Sequence, residues 1–187
     1  MTLLTNTLGM LFAKVETNSN LIEIVGEGLV HQKTSQINSV ITEFVNNHSG
    51  LVSRKLRGGL LCGFPNADSA AVAAIEIQES NNKMSFFSTI AADYDPSIFK
   101  ELTLPITIAL NYGQMEVVSG TIGGDGINEV IELIDNVEEG QVLATNKLTN
   151  ALTDNVKLHL SERDILKTNK NAQELQVYKL SKIKTED

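Results

Sequence analysis

Few residues of this chain stand at spacings that could do chemistry. The three histidines, His31, His48 and His159, share no metal-ligand spacing, and no cysteine lies near any of them in the sequence. No GxSxG motif supports Ser/His/Asp catalysis. The sequence therefore predicts no metal centre, no bound cofactor and no serine-type hydrolysis.

The segment "GTIGGDG", residues 120–126, is a candidate binding loop because it runs into a helical pattern. Backbone N–H groups at a helix N-terminus can cradle a phosphate group. The segment lacks the lysine of a P-loop, so a tight turn between a strand and a helix explains its glycines more simply. Both interpretations stay open at this point.

A second candidate is "SRKLRGGLLCGF", residues 53–64, in which two short apolar runs flank Arg57-Gly58-Gly59. This pattern predicts a tight β-hairpin. An active site can be built on such a turn, but this turn has no side chain able to do chemistry. It is either a plain connection or a catalytic loop that has lost its function.

Strands and helices must position these loops, and the apolar periodicity indicates where they lie. The order β-α-β-β-α, followed by further strands and helices, predicts an α+β sandwich with helices over a largely antiparallel sheet. We expect one domain, 1–180, and a flexible tail, 181–187. The predicted elements are strand 8–15, helix 21–47, strands 51–56 and 60–64, helix 65–80, a short helix near 96–102, a strand from 106 with a hairpin at "NYG" (111–113), a helix after "GTIGGDG", strand 142–145, a helix to 152, and strands 156–160 and 175–180.

Composition narrows the classes of partner. The 187 residues carry a net charge of −8, which argues against unaided binding to nucleic acid or an anionic membrane. No apolar run reaches membrane-spanning length, and the first residues lack the features of a secretory signal. The single cysteine, Cys62, fits a reducing compartment. These observations predict a cytoplasmic protein that binds neither nucleic acid nor membrane.

Five segments in register carry a resemblance to a known family. "LGMLFAKVETNS" is similar to an opening strand that reads "LLFADIVGFT", and "LVSRKLRGGLLCGFPNADSAAVAAIEIQ" to "VVKTIGDGVLAVF" with its helix. "ITIALNYGQMEVVSGTIGGDGINEVIEL" is similar to "RIGLHTGEVVVGNIGGDAVNLAARL". "GQVLATNKLTNAL" and "DILKTNKNAQELQVYKL" resemble "GQILVSEAT" and "LKGVSEPVRVYRL". The chain from about residue 7 to 180 thus resembles a class III adenylate/guanylate cyclase homology domain.

The resemblance implies a ferredoxin-like, nucleotide cyclase-type sandwich that dimerises head to tail with nucleotide between the subunits. In that family two aspartates hold two divalent ions, one of which activates the ribose 3′-hydroxyl. An asparagine and an arginine from the opposite subunit orient the ribose and stabilise the transition state, and two further positions choose the purine. Cys62 falls where the family buries a strand, which implies an inert thiol.

Both metal positions have lost their aspartate. The first falls on Lys14, and the second falls on Gly58 with Arg57 beside it. Divalent ions of this kind need anionic oxygen ligands, which glycine lacks and lysine would repel. The hairpin is therefore interpreted as a metal-binding turn without its ligand, and the resemblance then predicts no catalysis.

The half that faces the partner subunit is only partly retained. The asparagine falls on Asn128 and the preceding "GD" on Gly124-Asp125, but the arginine falls on Glu132. The purine-choosing positions fall on Arg54 and Thr121. The residues of a remnant nucleotide pocket would be Lys14, Arg54, Arg57, Thr121, Asp125 and Asn128.

The sequence therefore predicts a catalytically inactive cyclase-like domain that acts as a regulatory or protein-interaction module. It would form a homodimer, or a heterodimer with another signalling protein. One alternative is a receptor that binds a nucleotide or another anion without turnover. A second alternative is the silent half of a heterodimeric cyclase, although such a half should keep the arginine that Glu132 replaces.

Overall fold

An eight-stranded sheet runs through the molecule in the computed structural model, which describes residues 4–83, 104–119, 121–167 and 174–183. The predicted short helix near 96–102 lies outside these residues. The strands are β1 (Leu4–Val15), β2 (Leu51–Leu56), β3 (Gly59–Phe64), β4 (Ile106–Val118), β5 (Thr121–Gly123), β6 (Val142–Thr145), β7 (Leu158–Lys167) and β8 (Glu174–Lys182). The helices are α1 (Ser19–Val25), α2 (Glu27–Asn47), α3 (Ala67–Lys83), α4 (Asp125–Ile134) and α5 (Asn146–Thr149).

The strand order is β2-β3-β1-β4-β6-β8-β7, and β5 pairs with β4 outside this path. Strands β4 and β6 are parallel, while the other paired strands are antiparallel. Strand β1 lies between β3 and β4 and is bonded to both. The predicted α+β class, with helices on a mostly antiparallel sheet, is confirmed.

Two separate apolar cores form on the two faces of the sheet because side chains alternate along each strand. On one face, Leu11 and Ala13 pack with residues of α1, α2 and α3. On the other face, Met10 and Phe12 pack with Val130 and other residues of α4. We call these the three-helix face and the α4 face. No helix in the described ranges is long and apolar enough to span a membrane.

The predicted helix 21–47 is two helices, so this prediction is wrong in its extent. Helix α1 begins at Ser19, where the Asn18 side chain accepts a hydrogen bond of 2.6 Å from the Leu21 backbone N–H. Gly26 then adopts φ = 85°, a conformation that side chains disfavour, and α2 begins one residue later. The apolar periodicity continues across the break and therefore hides it.

The predicted hairpin at "NYG" is wrong. Strand β4 runs unbroken through Asn111, Tyr112 and Gly113, each paired with a residue of β1. The apolar positions change phase there because Ile108 faces the three-helix side whereas Met115 faces α4. The true hairpin follows β4 and leads into β5, inside the segment that the sequence indicated as a glycine loop.

The hairpin of β2 and β3 is confirmed, but its turn is one residue shorter than predicted. Arg57 and Gly58 have φ of 48° and 78°, as in a two-residue type I′ turn. Gly59 is already in β3, where an added Cβ would lie 2.6 Å from the Ala13 carbonyl oxygen. Strand β8 continues to Lys182, two residues beyond the end of the predicted strand 175–180.

Candidate functional site

Lys14 lies near the end of β1, paired with Gly59 on one side and Thr107 on the other. Its Nζ is 2.9 Å from Glu16 Oε2, and the two side chains are 37% and 25% exposed. The Thr107 hydroxyl donates a 2.9 Å hydrogen bond to Glu16 Oε1. Both oxygens of the nearest carboxylate are therefore engaged, one of them by the lysine itself.

Gly58, which the resemblance assigns to the second metal position, is in the turn immediately before Gly59, the residue paired with Lys14. The structure thus brings Lys14 and the turn together at one end of the sheet. Among the described residues nothing lies within 4 Å of a Cβ built on Gly58. Arg57 points toward the end of α4, where its Nη1 is 3.8 Å from Asp135 Oδ2.

Arg54 and Thr121, which the resemblance assigns to the two purine-choosing positions, lie on neighbouring strands although they are far apart in sequence. Arg54 is exposed on β2 and pairs with Leu61, whose side chain belongs to the α4 face. Its neighbour Ser53 is the extra residue of a β-bulge, and the Ser53 hydroxyl oxygen accepts a 3.0 Å hydrogen bond from the Ile122 backbone N–H. This bond attaches β5, and with it Thr121, to β2.

Helix α4 carries the other positions that the sequence analysis assigned to the pocket. It begins after Gly124, which has φ = 114°, so the glycine segment ends in a strand-to-helix turn. Asp125 is exposed in the first helical turn. Asn128 and Glu132 are half-buried and lie four residues apart, on one side of the helix.

Within one chain, Asn128 and Lys14 are not brought together. The turn of α4 that contains Asn128 sits over Asn111, and Lys14 is opposite Thr107 in the same ladder. These two positions of β4 are four residues apart, or roughly 13 Å along a strand.

A buried polar cluster that the sequence did not indicate holds α4 to the sheet. Asn111 is fully buried, and its Nδ2 donates to the Gly126 carbonyl oxygen at 3.1 Å and to Glu129 Oε2 at 2.8 Å. The buried Thr145 hydroxyl donates to Asn111 Oδ1 at 2.6 Å, and Lys147 Nζ lies 2.6 Å from Glu129 Oε1. The sequence signal was weak, because Asn111 is one of several polar residues in β4 and Thr145 is the last residue of β6.

The remaining candidates for chemistry do not form a site in the described part of the chain. Cys62 is fully buried, and this burial raises the pKa of its thiol to about 12. His48 pairs with Glu76, at 2.7 Å, on the three-helix face. The described residues include no group of three or more His, Cys, Asp or Glu side chains that could hold a metal ion.

No protein-family model and no curated protein matches the chain, but solved structures do. The adenylate/guanylate cyclase/hydrolase from Silicibacter pomeroyi is 18% identical over 96% of this chain and 99% of that one, with a TM-score of 0.79. An adenylate cyclase from Trypanosoma brucei in its monomeric state is 12% identical over 97% and 91%, with a TM-score of 0.80. The guanylate cyclase domain of RhGC from Catenaria anguillulae, in complex with GTP, is 13% identical over 96% and 98%, with a TM-score of 0.72. The chain therefore has the fold of adenylate and guanylate cyclase domains, as predicted.

Proposed function

We propose that this cyclase-fold domain forms no cyclic nucleotide and acts as a regulatory, self-associating interaction module. The observation that carries the proposal is the state of the first metal position. An ammonium group, Lys14 Nζ, stands there, paired at 2.9 Å with Glu16. The second position, Gly58, offers no side chain at all.

Electrostatics makes metal binding at this place unfavourable. At about 4 Å and an effective dielectric near 20, each unit of like charge costs roughly 4 kcal/mol, so a divalent ion beside a lysine faces about twice that before solvent screening. Glu16 is the nearest carboxylate, but a metal ion would have to compete for its oxygens with Lys14 and the Thr107 hydroxyl. Catalysis through two metal ions is therefore strongly disfavoured.

The residues of α4 that would face a nucleotide bound by a partner subunit are also unfavourable for catalysis. Glu132 stands where the resemblance places a transition-state arginine. Charge that develops on a phosphate group is stabilised by cations and N–H donors, and a carboxylate would repel it. The same residue argues against the silent half of a heterodimeric cyclase.

The proposal is tested by incubating purified protein with ATP or GTP and with Mg²⁺ or Mn²⁺. We expect no cyclic nucleotide above a buffer blank. An Asn128→Ala variant purified in parallel is the control for contaminating cyclase. Product that forms reproducibly and disappears in Asn128→Ala would overturn the proposal.

The nucleotide or anion receptor stays a second prediction, and the structure lends it little support. Of the three cations that the sequence assigned to the pocket, Lys14 is paired with Glu16 and Arg57 lies near Asp135. The local positive charge is thus partly neutralised by the chain itself. A thermal-shift screen with nucleotides, with and without EDTA, separates a receptor from an interaction module, since only a receptor is stabilised by its ligand.

A further inference from the structure

The sheet ends in β7, whose outer edge has no strand beside it in the described part of the chain. Strand β7 pairs with β8 on one side, and no described strand pairs with it on the other. Helix α3 reaches over the sheet to β8, where Lys182 Nζ lies 3.3 Å from Glu79 Oε1, and no described helix makes more than marginal contact with β7. Such an edge presents backbone N–H and C=O groups that can pair with an added strand.

Exposed apolar side chains concentrate on this edge. Leu160 lies opposite the buried Leu180 and is 38% exposed, while Ile165 lies opposite Gln176 and is 60% exposed. Both point to the three-helix side, because Leu180 packs in that core and Gln176, four residues before it on β8, faces the same way. With Ile183, directly after β8, they are three of the five large apolar side chains that are exposed among the described residues. An added strand with apolar side chains on this side would bury Leu160 and Ile165.

The hairpin of β7 and β8 is the basic part of an acidic chain. Residues 156–184 contain seven Lys or Arg and three Asp or Glu, a net charge of +4, whereas the whole chain has a net charge of −8. Lys179 of β8 lies opposite Ser161 of β7 and opposite Leu143, which belongs to the α4 core, so it points to the α4 side. Neither Lys179 nor Lys157, which is exposed just before β7, has an ion-pair partner among the described residues. The edge is therefore apolar on one side and has unpaired positive charge near the other.

We propose that β7 binds an extended segment of a partner protein in which apolar and acidic residues alternate. The backbone of this segment pairs with β7, its apolar side chains cover Leu160 and Ile165, and its carboxylates lie on the side of Lys179. Alternation is required because successive side chains of a strand point to opposite sides. The inference goes beyond self-association and does not depend on it, because β7 forms the edge of the sheet opposite to β2, which carries Arg54 of the predicted pocket.

Charge and strand geometry favour such a segment over other occupants. A second copy would bring together two hairpins of net charge +4, and their repulsion opposes pairing of β7 with itself. The register of β7 also shifts at a bulge between Glu162 and Ile165, a feature that discourages pairing of identical edges, whereas a short peptide needs only the regular stretch 158–162. A nucleic acid is repelled by the rest of the chain, which carries a net charge of −12, and does not use backbone pairing groups or exposed apolar side chains.

Fluorescent peptides of about eight residues, the length of an ordinary strand, test the proposal by anisotropy with the full chain. One peptide alternates Val and Glu, a second alternates Val and Lys, and a third is the Val/Glu peptide with two central prolines, which prevent pairing as a strand. We expect only the uninterrupted Val/Glu peptide to bind, with an affinity that falls as salt is added. Its binding should slow backbone hydrogen exchange in β7 but not in β2, the strand at the other edge of the sheet.

Matched variants separate the apolar contacts on β7 from other exposed apolar surface. Leu160→Ser combined with Ile165→Ser should raise the Kd of the Val/Glu peptide about tenfold or more. The control combines Ile22→Ser with Leu51→Ser, because these side chains are 38% and 55% exposed, close to the 38% and 60% of the pair on β7. The control should bind like wild type. Circular dichroism confirms that each variant is folded before its binding is measured.

A second pair of variants tests the contribution of charge. Lys157→Glu combined with Lys179→Glu should raise the Kd of the Val/Glu peptide about threefold to tenfold at low salt, and this difference should shrink as salt is added. The control combines Lys33→Glu on α2 with Lys55→Glu on β2, which makes the same change of net charge away from β7. Its Kd should rise by about twofold at most.

The inference is overturned if the Val/Glu peptide does not bind, binds no better than the other two peptides, or slows exchange in β2 rather than in β7. Unchanged binding by the serine variant of β7 overturns it as well. Displacement of the peptide by a duplex DNA oligonucleotide would reveal a general polyanion site, and weaker self-association of the serine variant in sedimentation would assign the edge to a second copy. Either result excludes the proposed partner. Formation of cyclic nucleotide in the separate assay would overturn the proposed function and leave this inference intact.

Discussion

Replacing Asn111 by aspartate tests whether α4 is held to the sheet as the structure shows. Asn111 Nδ2 donates hydrogen bonds to Glu129 Oε2 at 2.8 Å and to the Gly126 carbonyl oxygen at 3.1 Å. Aspartate has almost the same size, but it places an acceptor oxygen where this donor stood. The hydrogen bond from the Thr145 hydroxyl is kept, so the perturbation is confined to the contact with α4.

Two independent estimates give the magnitude. Two carboxylates at 2.8 Å would repel each other by at least about 4 kcal/mol, even with an effective dielectric near 20. If the introduced carboxyl group instead stays protonated, its O–H group can donate a hydrogen bond to Glu129 and the repulsion is avoided. Holding a carboxyl group with an ordinary pKa near 4 protonated at about pH 7 costs three units of about 1.36 kcal/mol, again about 4 kcal/mol. Since domains are typically stable by about 5–15 kcal/mol, Asn111→Asp should fold but be much less stable at neutral pH.

The direction of the pH dependence follows from the protonation of the introduced carboxyl group. In the folded variant the pKa of the introduced carboxyl is raised, because Glu129 is beside it and the site is buried. Such a group favours the folded state below its unfolded pKa, and this contribution is lost as the pH rises toward the folded pKa. The loss of stability relative to wild type should therefore fall from about 4 kcal/mol near pH 7 to about 1.4 kcal/mol near pH 5.

Urea unfolding followed by far-ultraviolet circular dichroism measures this difference at both pH values. Subtracting wild type at each pH removes the titration of the rest of the chain. The control is Asn155→Asp, which makes the same change of charge at an exposed loop residue and should stay within about 0.5 kcal/mol of wild type. A loss below about 1 kcal/mol near pH 7, or one that does not shrink in acid, would refute the contact between Asn111 and Glu129.

Three further predictions address the turn, the sheet and the thiol. The double variant Lys14→Asp/Gly58→Asp should bind Mn²⁺ more tightly than wild type, as measured by calorimetry, but should form no cyclic nucleotide. If no heat of binding is observed, the turn no longer has the geometry of the family's metal-binding turn. Gly9→Ala should lose about 1–3 kcal/mol in urea unfolding, because its Cβ would lie 2.6 Å from a backbone carbonyl oxygen, whereas Gly113→Ala meets nothing within 4 Å and should stay near wild type. Cys62 should react with a thiol reagent near pH 8 only after unfolding, since its pKa is about 12; rapid reaction of the folded protein would contradict its burial.

The elements that sequence predicted well are those with one dominant signal. The hairpin of β2 and β3 follows from two apolar runs around a glycine turn, and α3 from small residues after a capping sequence. The errors arise where two environments meet along one element. Strand β4 changes its apolar phase because different helices cover its two ends, and the break at Gly26 keeps the helical period on both sides.

In the candidate site, too, some features could be predicted from the sequence and others could not. Its backbone parts, such as the turn at Gly58 and the helix start after Gly124, were predictable because glycine is needed where φ is positive. Side-chain partners were not predictable. That Asn111, Thr145 and Glu129 would meet depends on how strands and a helix far apart in sequence pack together.

The signs of the replaced charges bear on what the α4 face now does. Loss of a metal site needs no more than neutral residues, yet the resemblance places Lys14 at the position of an aspartate and Glu132 at the position of an arginine. The resemblance assigns these two positions to opposite subunits. Reversing one of them alone would place like charges across the cleft, whereas reversing both keeps the two sides complementary without a nucleotide between them. Because Lys14 is already paired with Glu16, part of its positive charge is neutralised within the chain, so the two replacements favour a site without a nucleotide over a receptor that uses Lys14 to hold one.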